Sequence, residues 1–144
     1  MSNYKVRRTI VGQLPFASDL YDVLTQIVQH ENIRLGRIQA IGATSHAVVA
    51  YYDQDKKKYL PLEFDGGMEI VSYTGNVSMR DDKPFVHAHI VLSDREGRAI
   101  GGHLLQGTTV FACEIIIEEF EGESLVRQQD EQTGLYLWQS GRLV

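Results

Sequence analysis

Three histidines, His87, His89 and His103, are the residues of this chain whose type and spacing most clearly point to chemistry. His87 and His89 flank one alanine in an apolar segment that predicts a β-strand over residues 85–92. Alternate side chains of a strand share a face, so the two rings are expected on one side, about 6.7 Å apart along the strand. Two imidazoles at this spacing can lean toward one ion.

His103 is expected to return beside this pair. Residues 93–98 are rich in turn-forming residue types, and residues 99–105 have the pattern of a second strand. Folding the turn between these strands places His103 opposite Ala88 or His89. The hairpin therefore predicts three imidazoles on one patch of sheet.

Three neutral imidazoles with one open coordination position are typical of a catalytic or exchangeable zinc site rather than of a closed structural one. We therefore expect His87, His89 and His103 to bind a divalent metal, with zinc as the simplest choice. Two alternatives use the same residues. One is a histidine that acts as a general base without metal, because its ordinary pKa is near 6.5. The other is a polar subunit interface that holds no ion.

Two further polar residues are candidates for the surroundings of the histidines. Glu114 interrupts the apolar run of residues 110–117, where an unpaired carboxylate would be costly to bury. It could accept a hydrogen bond from a metal-bound imidazole or act as a general base, and an ion pair with an arginine such as Arg98 is the alternative. Asn76 ends a predicted strand over residues 68–77 and could bring an amide to the same patch, although a Gly-Asn pair more often forms a turn or bulge.

Composition predicts one domain that spans residues 1–144. The chain has 144 residues, 43% of them hydrophobic, which suits a single core. Its net charge of −5 gives no general attraction for nucleic acid or an anionic membrane. The single cysteine, Cys113, lies among apolar residues and predicts a buried thiol in a reducing cytoplasm. No apolar run reaches the roughly 18 residues of a membrane-spanning helix, so we expect neither secretion nor membrane insertion.

One long helix is expected, because leucine, isoleucine and valine recur at three- and four-residue spacing from Leu20 to Val28. Ser18 is the expected N-cap, with Asp19 in the first turn. The other apolar segments predict short strands over residues 4–11, 37–41, 46–52, 58–64, 68–77, 85–92, 99–105 and 108–120. These elements favour an α+β fold with a mostly antiparallel sheet packed against one main helix. A small barrel with an added helix is the alternative.

Three details of the strands can be tested against the structure. The pair Gly66-Gly67 is expected to mark a chain reversal, and the pair Gly101-Gly102 a bulge or the close approach of another backbone. The strand over residues 108–120 is expected at the centre of the sheet and covered on both faces. In the tail, Leu135, Leu137 and Trp138 are expected to dock on the body or on a neighbouring subunit.

The chain resembles the PPC domain, the plants-and-prokaryotes conserved domain, over most of its length. The combination of motifs is more specific than any one of them. They are Thr74-Gly75-Asn76, Val86-His87-Ala88-His89, the acidic turn of residues 94–97, Gly101-Gly102-His103-Leu104 and Cys113-Glu114.

This resemblance implies a homotrimer built on an antiparallel sheet with a packed helix, and it implies His87, His89 and His103 as metal ligands. Plant proteins of this type carry the domain after AT-hook segments and act as nuclear DNA-binding regulators, and bacterial proteins have inherited the DNA-binding label. This chain has no Arg-Gly-Arg-Pro core and no basic arm. The resemblance therefore implies a role in assembly and partner binding for this chain more strongly than it implies DNA contact.

The sequence thus favours a small cytoplasmic homotrimeric domain of PPC type with a three-histidine zinc-like site. A metal-dependent enzyme of hydrolase or lyase type acting on a small molecule is one alternative, with Glu114 as its candidate base. A metal-free assembly module for transcription-associated partners is the other.

Overall fold

The computed structural model describes residues 3–139, which form an α+β fold. Within these residues, eight strands and one helix follow one another along the chain. They are β1 (Lys5–Gln13), α1 (Leu20–His30), β2 (Gly36–Asp53), β3 (Lys58–Arg80), β4 (Lys83–Ser93), β5 (Ala99–Leu104), β6 (Thr109–Glu121), β7 (Arg127–Gln129) and β8 (Tyr136–Trp138).

The first six strands form one antiparallel sheet in the order β1-β6-β2-β3-β4-β5, and β7 and β8 form a separate two-stranded hairpin. The long strand β2 also pairs with β5, through Val49 opposite Leu104 and Ala50 opposite His103. This extra pairing joins β2, β3, β4 and β5 into a closed ring. The sheet therefore combines the expected antiparallel layer with the barrel closure that the sequence left as the alternative.

The helix covers the inner face of the sheet. Leu20, Leu24 and Val28, which recur every four residues, are fully buried and belong to the hydrophobic core. The α1 helix contacts β4, whose alternate residues Val86, Ala88, Ile90 and Leu92 belong to the same core. Strict alternation then directs the other residues of β4, His87 and His89, to the outer face.

The glycine pair of β5 allows the ring to close. Ile90 of β4 lies opposite Gly102 with no register shift, so the strand contains no bulge at this point. A Cβ atom on Gly102 would lie 2.7 Å from the carbonyl oxygen of Ala50, and one on Gly101 would collide with the carbonyl oxygen of Ile90. The prediction that Gly101-Gly102 allows the close approach of another backbone is therefore confirmed. This close packing fixes β5 between β4 and β2.

The N-cap of α1 is Asp19, not Ser18 as expected. The Asp19 carboxylate accepts a hydrogen bond from the backbone N–H of Asp22 at 2.9 Å. It also accepts one from the N–H of Gly107 at 2.5 Å, which ties the helix start to the turn before β6. Ser18 instead donates its hydroxyl to the carbonyl oxygen of Pro15. The prediction failed because the sequence does not show that Gly107 adds a second donor to Asp19.

The predicted reversal at Gly66-Gly67 is wrong, because β3 runs without interruption from Lys58 to Arg80. Its partner β2 likewise merges two expected short strands, and register shifts between Ala40 and Gly42 and between Thr44 and His46 bend the pair. Glycines served here to bend a long strand rather than to end it.

The strand β6 lies between β1 and β2, one strand from the edge of the sheet rather than at its centre, and within one chain only one of its faces is covered. Val110, Cys113, Ile115 and Ile117 are buried. Phe111 and Ile116, on the other face, are 58% and 44% exposed. The expectation of a strand covered on both faces is therefore wrong for the isolated chain.

No helix within residues 3–139 is long and apolar enough to cross a membrane.

Candidate metal centre

The structure brings the three histidine rings together on the outer face of the sheet. In the β4–β5 hairpin, His89 lies directly opposite His103. The ring centroids are 5.3 Å apart for His87 and His89, 5.0 Å for His87 and His103, and 5.5 Å for His89 and His103. One ring nitrogen from each histidine lies within 4.8 Å of the other two, so small side-chain rotations can direct all three at one point.

Two of the rings are held in the neutral form that a metal requires. Burial, together with the nearby charges of Arg127, His103 and His89, lowers the pKa of His87 to about 4. Burial also lowers the pKa of His103 to about 4, again with His89 and Arg127 acting in the same direction. Because a metal ligand must offer a free lone pair, neutral imidazoles at neutral pH are ready to bind a cation.

An unsatisfied nitrogen supports the fit of a metal to these residues. The Nδ1 atom of His103 is buried and has no hydrogen-bond partner within residues 3–139. Buried polar nitrogens are normally paired, so such an atom calls for an explanation. Coordination of a cation through this nitrogen would satisfy its lone pair, and three imidazole nitrogens form a donor set that suits zinc.

A buried arginine lies against the histidine cluster. Arg127 at the start of β7 is 8% exposed. Its Nε donates to the hydroxyl of Ser78, its Nη1 to the carbonyl oxygen of Tyr136 and its Nη2 to the amide oxygen of Asn76, each at 2.8 Å. The Nη2 atom also lies 3.3 Å from Nδ1 of His87. Because a guanidinium can only donate, Nδ1 of His87 is the acceptor in this contact.

A cavity of about 350 Å³ opens beside His87 and His103. The ring of Tyr59 stacks on His103, with centroids 4.6 Å apart, and Tyr52 packs edge-on against Tyr59. The β7–β8 hairpin also lines the cavity, through Tyr136. The expected docking of the tail on the body is therefore observed for the segment that ends in β8.

The structure places the two other candidate residues differently. Asn76 lies opposite His87 in the neighbouring strand β3, and it reaches the cluster through its hydrogen bond with Arg127. Glu114 is exposed on β6, opposite Ile41, so two strands, β2 and β3, separate it from β4. It does not join the histidine cluster. Glu114 was singled out because it interrupts an apolar run, but its side chain is not buried and points away from the core. The suggested partner Arg98 pairs with Asp94 and Glu96 instead.

Arg127 and Tyr59 were not singled out from the sequence. Arg127 lies in a weakly amphipathic tail, and its one signal is a charge directly after the apolar pair Leu125-Val126. Tyr59 lies in a strand that alternates in the ordinary way, about 44 residues from its stacking partner His103 in the chain. Both reach the site only through long-range packing.

Comparisons with known proteins agree with this fold. The model of the Plants and Prokaryotes Conserved (PCC) domain matches residues 1–121. A solved metal-containing protein from Archaeoglobus fulgidus is 40% identical, with a TM-score of 0.91 over 96% of this chain and 97% of its own. A plant- and prokaryote-conserved (PPC) protein from Pyrococcus horikoshii is 33% identical, with a TM-score of 0.93 over 99% of both chains. A protein from Ralstonia eutropha that is described as a candidate DNA-binding protein is 26% identical, with a TM-score of 0.83 over 96% of both chains.

Curated relatives are much longer. The bifunctional protein GlmU of Synechococcus sp. (strain JA-3-3Ab) is 29% identical over 118 residues, which are 81% of this chain and 18% of that protein. The chain thus spans less than a fifth of the length of the curated relatives it matches. Because the domain model covers most of the chain and the solved relatives align over nearly all of it, this chain belongs to the Plants and Prokaryotes Conserved domain family, the PPC family that its motifs resemble.

Proposed function

We propose that residues 1–144 form a single PPC-type domain whose His87, His89 and His103 bind a divalent cation, with zinc as the preferred ion. The observation that carries this proposal is the convergence of three imidazole ring nitrogens within 4.8 Å of one another. The unpaired Nδ1 of His103 and the metal-containing relative from Archaeoglobus fulgidus support it. The buried free thiol of Cys113 suits a reducing cytoplasm, where we place the protein.

Three protein ligands leave a coordination position open, so a bound cation could polarise a carbonyl or activate water on a small molecule. A hydrolase or lyase would need a base close to that position. Glu114 lies two strands away from β4 and is not part of this proposal. His89 is exposed and its ring faces the other two histidines, so access to the cluster is open from solvent. We therefore propose a metal-binding domain, and a catalytic role would require a base that this proposal does not assign.

Metal analysis of untagged protein tests the ligand assignment. Wild-type protein, dialysed against zinc and then against buffer, is expected to retain about one ion per chain by plasma mass spectrometry. His87→Ala should reduce retention about tenfold or more, since removing one of three ligands leaves two. His30→Ala is the matched control, because its side chain is 87% exposed at the end of α1. Equal zinc content in wild type and His87→Ala would refute the assignment.

We also propose a homotrimer, through the outer face of the sheet around β6. Val11, Ile41, Val71, Phe111 and Ile116 on neighbouring strands are each between 44% and 72% exposed in one chain. Contiguous apolar surface of this kind marks a protein interface more often than a solvated surface. Copies of this chain are the occupants that the resemblance to trimeric PPC domains favours.

Direct DNA binding is a weaker proposal than assembly. Relatives from Bacteroides thetaiotaomicron and Ralstonia eutropha are described as candidate DNA-binding proteins. The present chain carries a net charge of −5, so it lacks the general electrostatic attraction on which non-specific DNA binding depends. A role in recruiting transcription-associated partners would not need that attraction.

A further inference from the structure

Within residues 3–139, Arg127 is a buried cation without an acidic partner. Its guanidinium makes hydrogen bonds only to neutral groups: a hydroxyl, an amide, a backbone carbonyl and an imidazole. The ion pairs formed within residues 3–139 all use other cations. Burial without a counter-charge is costly, and arginines in such positions normally pair with a carboxylate or phosphate.

The charged residues described around the cavity beside Arg127 are all cations. Lys57, Lys58 and Arg80 also line it, and none of its described lining residues is an aspartate or glutamate. Two of these cations have partners elsewhere, because Lys57 donates to the carbonyl oxygen of Glu131 and Arg80 lies 3.6 Å from the carboxylate of Asp81. Arg127 is therefore the buried charge of the cavity that remains uncompensated.

Arg127 keeps donor capacity for a ligand. A guanidinium carries five N–H groups, and the contacts within residues 3–139 use four of them. The contact with Nδ1 of His87, at 3.3 Å, is longer than the other three at 2.8 Å, so it is the one most readily exchanged for an oxyanion. A divalent cation on the three imidazoles would add to the positive charge and strengthen the attraction for an anion.

The walls of the cavity suit an apolar or aromatic body. Tyr52, Tyr59, Phe85 and Tyr136 line it, and its volume is about 350 Å³. The Tyr59 hydroxyl has no hydrogen bond within the described residues, and Tyr59 lines the same cavity as Arg127. Aromatic walls favour stacking with a flat ligand.

We infer that this cavity binds a small organic oxyanion, a carboxylate or phosphate with an aromatic or apolar body, whose charged head lies between Arg127 and the histidine cluster. This inference rests on the proposed metal site for the second positive charge, whereas the charge of Arg127 favours an anion on its own. The ligand head would replace Nδ1 of His87 as an acceptor for Arg127. Its body would lie against the tyrosine rings that line the cavity.

Titration calorimetry with three probes tests the inference on the wild-type protein. Benzoate and phenyl phosphate carry the charged head, and benzamide has nearly the shape of benzoate without its charge. Zinc-loaded protein should bind benzoate or phenyl phosphate about tenfold more tightly than benzamide or better, which is about 1.4 kcal/mol. The stronger of the two anions identifies the head group. Equal affinity for benzoate, phenyl phosphate and benzamide would overturn the inference.

Variants assign the binding to Arg127. Arg127→Met should weaken binding of the preferred anion about tenfold or more, and Arg95→Met, an exposed arginine in the β4–β5 turn, should change it by less than about twofold. Because Arg127→Met could loosen the β7–β8 hairpin, Asn76→Asp is the second variant. It keeps the shape of Asn76 but places a carboxylate 2.8 Å from the guanidinium, so it should compete with the anion while preserving the near-ultraviolet dichroism of wild type.

Repeating these titrations after removal of metal with a chelator separates the two proposals. Failure of zinc to bind, with anion binding that still depends on Arg127, would refute the metal site and keep the anion cavity. Zinc binding without any preference for charged probes would keep the metal site and refute the anion cavity. Anion binding that persists in both folded variants would likewise refute the role of Arg127.

Discussion

At the scale of single residues, burial sets the chemistry of the ionisable groups. It lowers the pKa of His87 and His103 to about 4, which keeps both rings neutral and able to offer a lone pair. Burial raises the pKa of the Cys113 thiol instead, which keeps the thiol protonated. Arg127 stays charged because the guanidinium group cannot lose its proton under ordinary conditions. As a result, the neutral rings of His87 and His103 lie beside the fixed positive charge of Arg127.

Cys113 should react slowly in the folded protein. It is 1% exposed, and burial raises the pKa of its thiol from 9.0 to about 11. Two pKa units reduce the thiolate fraction about a hundredfold below pH 9, and the thiolate is the nucleophile. Iodoacetamide at pH 8 should therefore alkylate native protein roughly a hundredfold more slowly than protein in guanidinium chloride, as measured by mass spectrometry. Equal rates would mean that the thiol is accessible.

The same shift has a stabilising effect with a defined pH range. Because the folded-state pKa of Cys113 lies above its unfolded value, the protonated thiol favours the folded state at pH values below 9. This contribution declines as the pH rises from about 9 to about 11. The free energy of unfolding of wild type should accordingly fall more steeply over this range than that of Cys113→Ala.

At the scale of elements, the position of His103 depends on how closely β5 lies between two neighbours. β5 pairs with β4 on one side and with β2 on the other, and Gly102 faces the backbone of Ala50. A side chain at this point would separate β5 from β2. The third histidine is thus placed by the closure of the sheet as much as by the turn that precedes it.

Gly102→Ala should weaken both the fold and the site. The new Cβ would lie 2.7 Å from a backbone oxygen that cannot move freely, so we expect a loss of roughly 1–3 kcal/mol in the free energy of unfolding. Urea denaturation measures this change, and zinc retention should fall with it because His103 shifts. Gly12→Ala in β1 is the control, since a Cβ there meets no atom within 4 Å. A Gly102→Ala protein as stable as Gly12→Ala would contradict the proposed role of close packing.

At the scale of the whole molecule, the exposed apolar face contrasts with the polar outer surface around the histidines. Val71 and Ile41 lie on neighbouring long strands and are 57% and 58% exposed. The cavity on this face also contacts Glu114, so the carboxylate that the sequence linked to the histidines lies on the surface proposed for assembly. One molecule therefore presents two separate surfaces, one proposed for self-association and one proposed for ligands.

Val71→Asp should convert the proposed trimer into monomers. The side chain is half exposed in one chain, so the substitution leaves the monomer core intact but places a charge in the subunit interface. Light scattering after size-exclusion chromatography should give a trimer mass for wild type and a monomer mass for the variant. Val6→Asp on the edge strand β1, where Val6 is 50% exposed, is the control and should stay trimeric. A wild-type protein that elutes as a monomer would refute the trimer.

The sequence alone determined those features that depend on local patterns. Alternation in residues 85–92 placed His87 and His89 on one face, and the turn chemistry of residues 93–98 returned His103 to them. Four-residue spacing identified α1, and the apolar neighbours of Cys113 indicated its burial. In each case the deciding interactions lie within a few residues or across one short hairpin.

Only the tertiary structure decided which residues surround the histidines of the β4–β5 hairpin. Arg127 reaches His87 across 40 residues of chain, and Asp19 became the N-cap because Gly107 donates to it from 88 residues away. Glu114 interrupts an apolar run but points outward. The sequence could not predict this direction, because alternation along a strand does not reveal which face meets the helix. Contacts of this kind depend on how the sheet closes and which segment covers it, and no pattern within a short window of sequence records them.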